Sequence, residues 1–424
     1  MGFWAVVAIG IGGMVGGGIF AVLGLSVQLT GGGAPVAFLV GGIVALLTAY
    51  SYARLSVAYP SQGGTVEFLN RAFGRGRTTG ALNILLWISY IVMLALYAYA
   101  FAEYGATLIG AQGNPLVRHL LLSGVIVALT ALNAAGAAAV GDAETWIVGI
   151  KVTILVLFTV VGFTTIAPGN LAPATWGAPL PLIAGGMLVF LAYEGFELIA
   201  NTASDVRNGE RTLPRAYFTA VGFVVLLYIT VAAATVGNLP IAKIVAARDY
   251  ALAAAAKPVL GHAGFTLIAI AAVLSTASAI NATLYGAARV SYVIAKEGEL
   301  PRMLERRVWH QPMEGLLLTA GATLVVANVF DLSSIATMGS AGFLVIFAMV
   351  NVANARRATD TGSRAWLCWL GVAVCVLALG ALIWETVRQA PLRLLTLVVM
   401  VGLSLLVEIA YRRFGPRAAK AASS

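Results

Sequence analysis

Hydrophobic residues run along this chain in long blocks separated by short polar segments. Each block is close to the twenty or so apolar residues that an α-helix needs to cross a membrane. The blocks predict twelve spanning helices in the 424 residues, at 3–27, 34–57, 80–109, 116–138, 145–167, 180–203, 214–237, 264–294, 313–330, 333–354, 365–385 and 391–411. The pattern therefore predicts an all-α, multi-pass membrane protein.

The first block is unusually rich in glycine. Residues 10–24 hold seven glycines in fifteen positions and no charged residue. Glycine in a helix interior costs about 1 kcal/mol relative to alanine, so this density favours an interruption of the helix. Irregular backbone at membrane depth is tolerated only where protein or a water-filled cavity satisfies it. In secondary transporters that cavity holds the substrate, and the block therefore predicts a transport function.

The sixth block repeats these features over residues 184–204. Glycine interrupts it at three positions, and Glu194 and Glu197 lie on either side of Gly195. Carboxylates at membrane depth are costly and are taken as functional groups by default. We therefore expect the sixth helix to be broken as well.

The two broken helices also predict how the chain is divided. If helices 1–5 and 6–10 form two units, the odd number of crossings gives the units opposite orientations, with a broken helix first in each. This is the signature of an inverted repeat. The predicted units are residues 1–167 and 180–355, and helices 11 and 12, at 364–412, are expected to serve packing or dimerisation.

Composition and charge agree with a membrane protein. The chain is 60% hydrophobic and 10% charged, whereas about a quarter of a soluble domain is charged. With the N-terminus placed in the cytoplasm, twenty of the 26 Lys and Arg residues fall on the cytoplasmic side, which is a positive-inside bias. They are spread over every inner loop, so we expect no nucleic-acid partner. The predicted location is the cell membrane, with both termini in the cytoplasm.

The sequence contains little chemistry for an enzyme. Cys368 and Cys375 lie on one apolar segment and are predicted to be core residues, and the three histidines fall in or near loops. Neither an HExxH nor a GxSxG motif occurs in an apolar context. We expect no enzymatic activity, no cofactor and no metal site. The oligomeric state is left open.

Four motifs in order resemble those of the amino acid–polyamine–cation transporter family. They are GGMVGGGIF in the first span, YPSQGGTVEFLNRAFG at 59–74, FLAYEGFELIANTASDVRNGERTLPRA at 190–216 and NATLYGAARVSYVIAKEGELP at 281–301. Through TGALNILLWISY at 79–90 and IVGIKVTILVLF at 147–158, the chain is most similar to archaeal broad-specificity, proton-coupled amino-acid transporters. The resemblance implies amino-acid transport on a five-plus-five inverted-repeat fold with helices 1 and 6 broken.

In the first span the break is predicted at residues 13–15. The new half-helix then begins with the amides of Gly16, Gly17 and Gly18. A helix N-terminus attracts anions, so these amides are candidates for the substrate carboxylate. The end of the preceding half-helix, Gly12 to Met14, offers carbonyl oxygens to a cation. The alternative is close helix packing through the GxxxG spacing of the same glycines.

In the sixth span the site follows from the resemblance. It implies that the carbonyls of Leu191, Ala192 and Glu194 bind the substrate α-ammonium, with Phe190 as a lid. Three roles stay open for the Glu194 side chain: favouring cationic substrates, titrating with the coupling proton, or pairing with an arginine. Glu197 is a structural or gating group. For both carboxyls the alternative is a protonated or hydrogen-bonded packing role.

Lys151 lies about six residues into the fifth span, close enough to the inner interface for its side chain to snorkel. The resemblance implies a different role. Proton-coupled relatives place a lysine amine where sodium-coupled relatives bind Na⁺, between helices 1 and 8. The matching partners here are the carbonyls of Gly12 and Val15, with Ser275 or Ser278 on helix 8. Charged Lys151 would then stand in for Na⁺, and proton release would loosen the contact.

These inferences favour a secondary active transporter that takes up an amino acid together with a proton by alternating access. An amino-acid exchanger, or a carrier of cationic amino acids or polyamines, is the main alternative. A channel or a nutrient sensor that binds without transporting is a further one.

Overall fold

The computed structural model describes residues 1–135, 140–296 and 313–414, with the backbone alone for 140–145 and 412–414. Part of the sequence interpretation concerns residues outside these ranges. The last five residues of the 281–301 motif lie there, as do His310, Arg302, Arg306, Arg307, Arg417 and Lys420.

The described chain is built from α-helices. In chain order they are α1 Phe3–Met14, α2 Gly18–Thr30, α3 Ala34–Ala58, α4 Thr65–Phe73, α5 Arg77–Leu108, α6 Pro115–Ala134, α7 Val140–Thr164, α8 Pro179–Phe190, α9 Gly209–Asn238, α10 Ile241–Ala246, α11 Ala251–Lys296, α12 Met313–Val329, α13 Leu332–Arg356, α14 Ala358–Thr361, α15 Ala365–Gln389 and α16 Leu392–Phe414.

The all-α, multi-pass prediction is confirmed. Within the described residues, ten helices are long and apolar enough to cross a membrane, and the bent pair α1 and α2 forms an eleventh candidate. The shorter apolar helix α12 occupies the place of the ninth predicted span. The apolar blocks marked the helices correctly because a span in lipid must be both apolar and long.

The break in the first span is also confirmed. α1 ends at Met14 and α2 begins at Gly18, and the two helices meet at an angle of 46°. The break lies two residues beyond the predicted position, at residues 15–17. The glycine run therefore predicted the interruption but not the last helical residue.

The sixth span differs from the expected broken helix. α8 passes at Leu191 into a 3-10 helix that continues to Asp205, fifteen residues in all. Runs of 3-10 helix longer than three or four residues are uncommon. This helix still satisfies its own backbone through i→i+3 hydrogen bonds, which meets the requirement that lipid imposes. The segment around Gly195 therefore changes from α-helix to 3-10 helix and is not unwound.

The two ends of the helix bundle are tied differently. At the end that carries Met1, the Met1 ammonium donates to the Asp205 carbonyl, and the Arg207 amide donates to the Met1 carbonyl at 3.0 Å. We call this the Met1 end. At the opposite end, Asp331 caps α13 through the Ser334 amide and pairs with Arg393 of α16 at 3.1 Å.

Asp331 gives the opposite end a predicted dependence on pH. Burial raises the pKa of its carboxyl, but the Ser334 hydrogen bonds and the neighbouring Arg393 and Arg248 lower it below the usual value of 3.8 overall. Its stabilisation is therefore complete above about pH 4 and is lost as the pH falls through the lowered value. The Asp331→Asn protein should melt below the wild type at pH 7, and the difference should shrink as the pH falls below about 4. Thermal unfolding in detergent measures both. Equal melting at pH 7 would contradict the prediction.

A buried polar network joins α3, α13 and α15. Asn351 accepts from Ser51 at 2.6 Å and donates to Thr48 at 3.2 Å, while Asn354 donates to Cys368 at 3.2 Å. Both cysteines are buried, as expected. The network gives α15 polar contacts to α3 and α13 in addition to apolar packing.

Removing Asn351 should destabilise this region. Asn351→Leu removes one hydrogen-bond partner from each of the buried hydroxyls of Ser51 and Thr48, which retain Asn354 and Cys375. This loss costs about 2 kcal/mol. We expect a lower melting temperature in detergent. Asn328→Leu is the control and should change the melting temperature less, because the hydrogen bonds of Asn328 to Ser123 and His119 lie on the exposed surface of α12.

The last two spans also carry buried acids. Glu385 of α15 and Glu408 of α16 are 7% and 1% exposed. The Glu408 carboxyl lies against Gly80 of α5, so tightly that a Cβ added to Gly80 would be 2.5 Å from the Glu408 Cδ. These helices therefore bring buried polar groups into the bundle, which their apolar sequences did not indicate.

Candidate functional site

The two glycine-containing segments meet in the centre of the bundle. A Cβ added to Gly195 would lie 2.2 Å from the carbonyl carbon of Gly13, and a Cβ added to Gly18 would lie 2.6 Å from the Ala192 Cα. Neither distance is possible for a real side chain. Glycine is therefore needed at both positions for the break in the first span to lie against the 3-10 helix.

Lys151 of α7 reaches the end of α1. Its side chain is buried, with 1% of its surface exposed, and Nζ donates to the Gly12 carbonyl at 3.2 Å. The C-terminus of a helix carries the negative end of its dipole, so an ammonium group is favoured there. Lys151 does not snorkel to the interface.

Ser275 of α11 meets the same break from another side. Its hydroxyl donates to the Val15 carbonyl at 2.9 Å and the Gly16 carbonyl at 2.6 Å. Ser278 lies about one turn further along α11 and is also buried. The structure thus brings Lys151, Ser275 and the carbonyls of the broken helix together between α1, α7 and α11.

The residues predicted to hold the substrate carboxylate are buried at the break. Gly16, Gly17 and Gly18 are all inaccessible, and a Cβ on Gly17 would lie 2.4 Å from the Tyr97 ring. The Met14 carbonyl accepts a 2.7 Å hydrogen bond from Tyr228. A starting helix leaves its first amides without intrahelical acceptors, and here the Tyr97 ring packs over them.

The candidates on the sixth span are divided between core and cavity. Phe190, the predicted lid, packs edge-on against Phe347 with ring centroids 5.6 Å apart. Leu191 and Ala192 are also buried in the core. Of the candidates on this span, Glu194 alone lines the cavity described next.

A cavity of about 600 Å³ extends from the Met1 end into the bundle. Its mouth includes Trp4, which is 75% exposed, and its inner wall includes Gly12, Gly13 and Glu194. At the opposite end, the Arg248 carbonyl packs directly on Gly24 of α2, and neither residue belongs to the cavity wall. The described wall therefore runs from the broken helix towards the Met1 end.

The two glutamates beside Gly195 have different surroundings. Glu197 accepts hydrogen bonds from Tyr52 at 3.1 Å and Thr65 at 3.3 Å. Glu194 accepts one from Tyr97 at 3.3 Å, and its other oxygen has no hydrogen-bond partner among the described residues. One oxygen of Glu197 likewise has no hydrogen-bond partner among the described residues. The two carboxyls therefore differ in place: Glu197 joins helices, whereas Glu194 belongs to the cavity wall.

Sequence reasoning missed the tyrosines of α5. Tyr90 and Tyr97 line the cavity, and Tyr104 donates to the Phe20 carbonyl at 3.2 Å. The three are spaced seven residues apart, which is nearly two helical turns and places them on one face. That spacing was visible in the sequence and could have indicated a polar face on an apolar helix.

Two further buried polar residues of the spans pair with neighbouring side chains. Glu103 pairs with Arg118 at 3.6 Å, and the Asn281 side chain accepts from Asn133 at 2.8 Å. Both pairs lie apart from the break in the first span. Neither residue lines the cavity.

A multi-pass helical bundle with a broken first helix, a buried ammonium at the break and a one-sided cavity defines a membrane transporter. Comparison with known proteins agrees with this class. The family model described as amino acid permease matches residues 1–406. The chain therefore belongs to the amino acid permease family, whose members are transporters and not enzymes.

Individual relatives support this assignment. An uncharacterized protein of Methanocaldococcus jannaschii is 40% identical over 86% of this chain and 84% of its own length. The inner membrane transport protein YbaT of Escherichia coli is 35% identical over 97% of this chain and 96% of its own. The branched-chain amino acid permease BcaP of Lactococcus lactis is 26% identical over 81% of this chain and 79% of its own length. The similarity covers most of the chain in each case.

Proposed function

We propose that this permease takes up amino acids together with protons across the cell membrane by alternating access. The observation that carries the proposal is the buried Lys151 ammonium on the Gly12 carbonyl, 3.2 Å away. A buried lysine loses its proton far more readily than an arginine. A proton bound there strengthens the contact between α7 and the broken helix, and proton release weakens it.

The substrate is proposed to bind where the break meets the 3-10 helix. Its carboxylate would be held by the amides that start α2, and its ammonium by the carbonyls that end α1. Both sets of groups lie in the region where Gly13 contacts Gly195. The Tyr97 ring would have to move aside for a carboxylate to reach Gly17.

Alternating access would use the asymmetry of the two ends. With the Met1 end in the cytoplasm, as the basic residues suggest, the described conformation is open inwards. Helices 1, 2, 6 and 7 would then rock against helices 3, 4, 8 and 9. The inverted-repeat division at 1–167 and 180–355, the plasma-membrane location and the cytoplasmic termini are parts of this proposal.

Uptake by the purified protein in liposomes tests the proposal. We expect saturable uptake of labelled amino acids that is stimulated by an inward proton gradient and absent from empty liposomes. Uptake that needs internal amino acid and ignores the gradient would favour an exchanger. Flux that does not saturate would indicate a channel, and binding without uptake a sensor.

A further inference from the structure

The Glu194 carboxyl is an unusual feature of the cavity. Its side chain is only 4% exposed, yet it forms part of the inner wall beside Gly12 and Gly13. The other described wall residues are uncharged side chains, apart from the Met1 terminus at the mouth. A carboxylate here is therefore the one negative side chain that a bound molecule in the described cavity would meet.

Glu194 lacks a cationic partner in the described part of the chain. Its Oε1 accepts from Tyr97, and its Oε2 has no hydrogen-bond partner. None of the ion pairs between described residues includes it. A buried carboxylate without a compensating cation is costly. Either a proton or a positively charged group that enters the cavity removes this cost.

The surroundings of Glu194 favour a cation over other ligands. The carbonyl end of α1 lies at Gly12 and Gly13, where the helix dipole is negative. The rings of Tyr90 and Tyr97 form part of the same wall, and aromatic faces attract ammonium groups. The carboxylate and the aromatic rings together form a site for an ammonium group, next to the α1 carbonyls that the proposed function assigns to Lys151 and the substrate α-ammonium.

The charge of the substrate decides whether its α-ammonium or a side-chain ammonium binds at Glu194. An uncharged amino acid brings an α-ammonium and an α-carboxylate whose charges cancel, and the proposed function assigns both to backbone groups at the break. Such a substrate leaves the Glu194 charge uncompensated. A second positive group on the side chain would compensate it.

We propose that Glu194 selects amino acids with a positively charged side chain by binding the side-chain ammonium in this cavity. The inference rests on the proposed transport function and adds the substrate class. Polyamines carry the same ammonium chemistry but lack the α-carboxylate that the α2 amides would hold. We therefore assign the site to a basic amino acid.

Lysine, norleucine and cadaverine test the assignment in liposomes that contain the full chain. Norleucine is lysine without its side-chain ammonium, and cadaverine is lysine without its carboxylate. We expect the wild type to bind and transport lysine with a KM about 10–100-fold below that for norleucine, the range for a hydrogen bond to a charged group. Cadaverine should compete weakly.

Glu194→Gln provides the variant, and Glu197→Gln is the matched control. Glu194→Gln should raise the KM for lysine about 10–100-fold and leave that for norleucine unchanged. Glu197→Gln should keep the preference for lysine, because Glu197 is bonded to Tyr52 and Thr65 outside the cavity wall. The melting temperature of each purified variant shows whether it is folded.

The outcomes separate this inference from the proposed function. The assignment is overturned, while amino-acid transport stands, if the wild type has equal KM values for norleucine and lysine. The same holds if Glu194→Gln raises the KM for both substrates by the same factor. Cadaverine equal to lysine would also overturn it in favour of a polyamine. If no amino acid is transported, the proposed function itself fails. Should Glu194→Gln not fold, the wild-type ratio of lysine to norleucine decides alone.

Discussion

Lys151→Ala is expected to abolish the stimulation of uptake by an inward proton gradient while leaving substrate exchange measurable. Alanine removes the ammonium that donates to the Gly12 carbonyl at 3.2 Å and leaves no group there to take up or release a proton. The comparison is between initial uptake with and without the gradient in liposomes of equal protein content. We expect the ratio of the two rates to fall to about 1.

Lys151→Arg sharpens the same experiment. Arginine keeps its positive charge because its guanidinium does not lose a proton in proteins. The contact to the broken helix would then never be released, and we expect net uptake to fall at least about tenfold. Lys257→Ala, an exposed lysine at the opposite end, is the control. Gradient-driven uptake that survives Lys151→Ala would refute coupling through this residue.

Gly17→Leu is expected to weaken substrate binding about 100-fold or more while the protein still inserts and folds. A Cβ at this position would lie 2.4 Å from the Tyr97 ring and 3.0 Å from the Thr276 methyl group. Overpacking of this kind costs about 1–3 kcal/mol, and the larger side chain also covers the amides proposed to bind the carboxylate. Binding of a labelled amino acid to purified protein measures the effect.

Gly222→Leu makes the same change on α9, where an added Cβ meets nothing within 4 Å. It should bind substrate like the wild type. Gel filtration and melting temperature show whether the Gly17 variant is folded. A folded Gly17→Leu protein that binds substrate normally would mean that the carboxylate site lies elsewhere in the bundle.

The sequence predicted the fold well because lipid imposes simple requirements. Apolar blocks of sufficient length marked the spans, and the glycine run marked the break between Met14 and Gly18. The form of the sixth span could not be predicted in this way. Glycine and carboxylates at 194–197 are compatible with an unwound segment or with a 3-10 helix. The structure has the 3-10 helix, in which Gly195 packs against Gly13.

The site was predicted unevenly. Lys151 was placed beside Gly12 through a resemblance, since nothing in its own sequence context distinguishes a buried lysine from one that snorkels. The cavity wall could not be read, because it depends on how each helix is rotated. Thus Phe190 turned out to pack in the core, and Tyr97 turned out to cover Gly17.

The 3-10 helix from Leu191 to Asp205 has a mechanical consequence. A 3-10 helix rises about 2.0 Å per residue and an α-helix about 1.5 Å, so these fifteen residues would be about 7 Å shorter as an α-helix. The segment begins beside the break and ends at Asp205, where the Met1 ammonium is bound. Its helix type therefore sets the distance between the break and the Met1 end, and a change from 3-10 to α-helix would draw the two together.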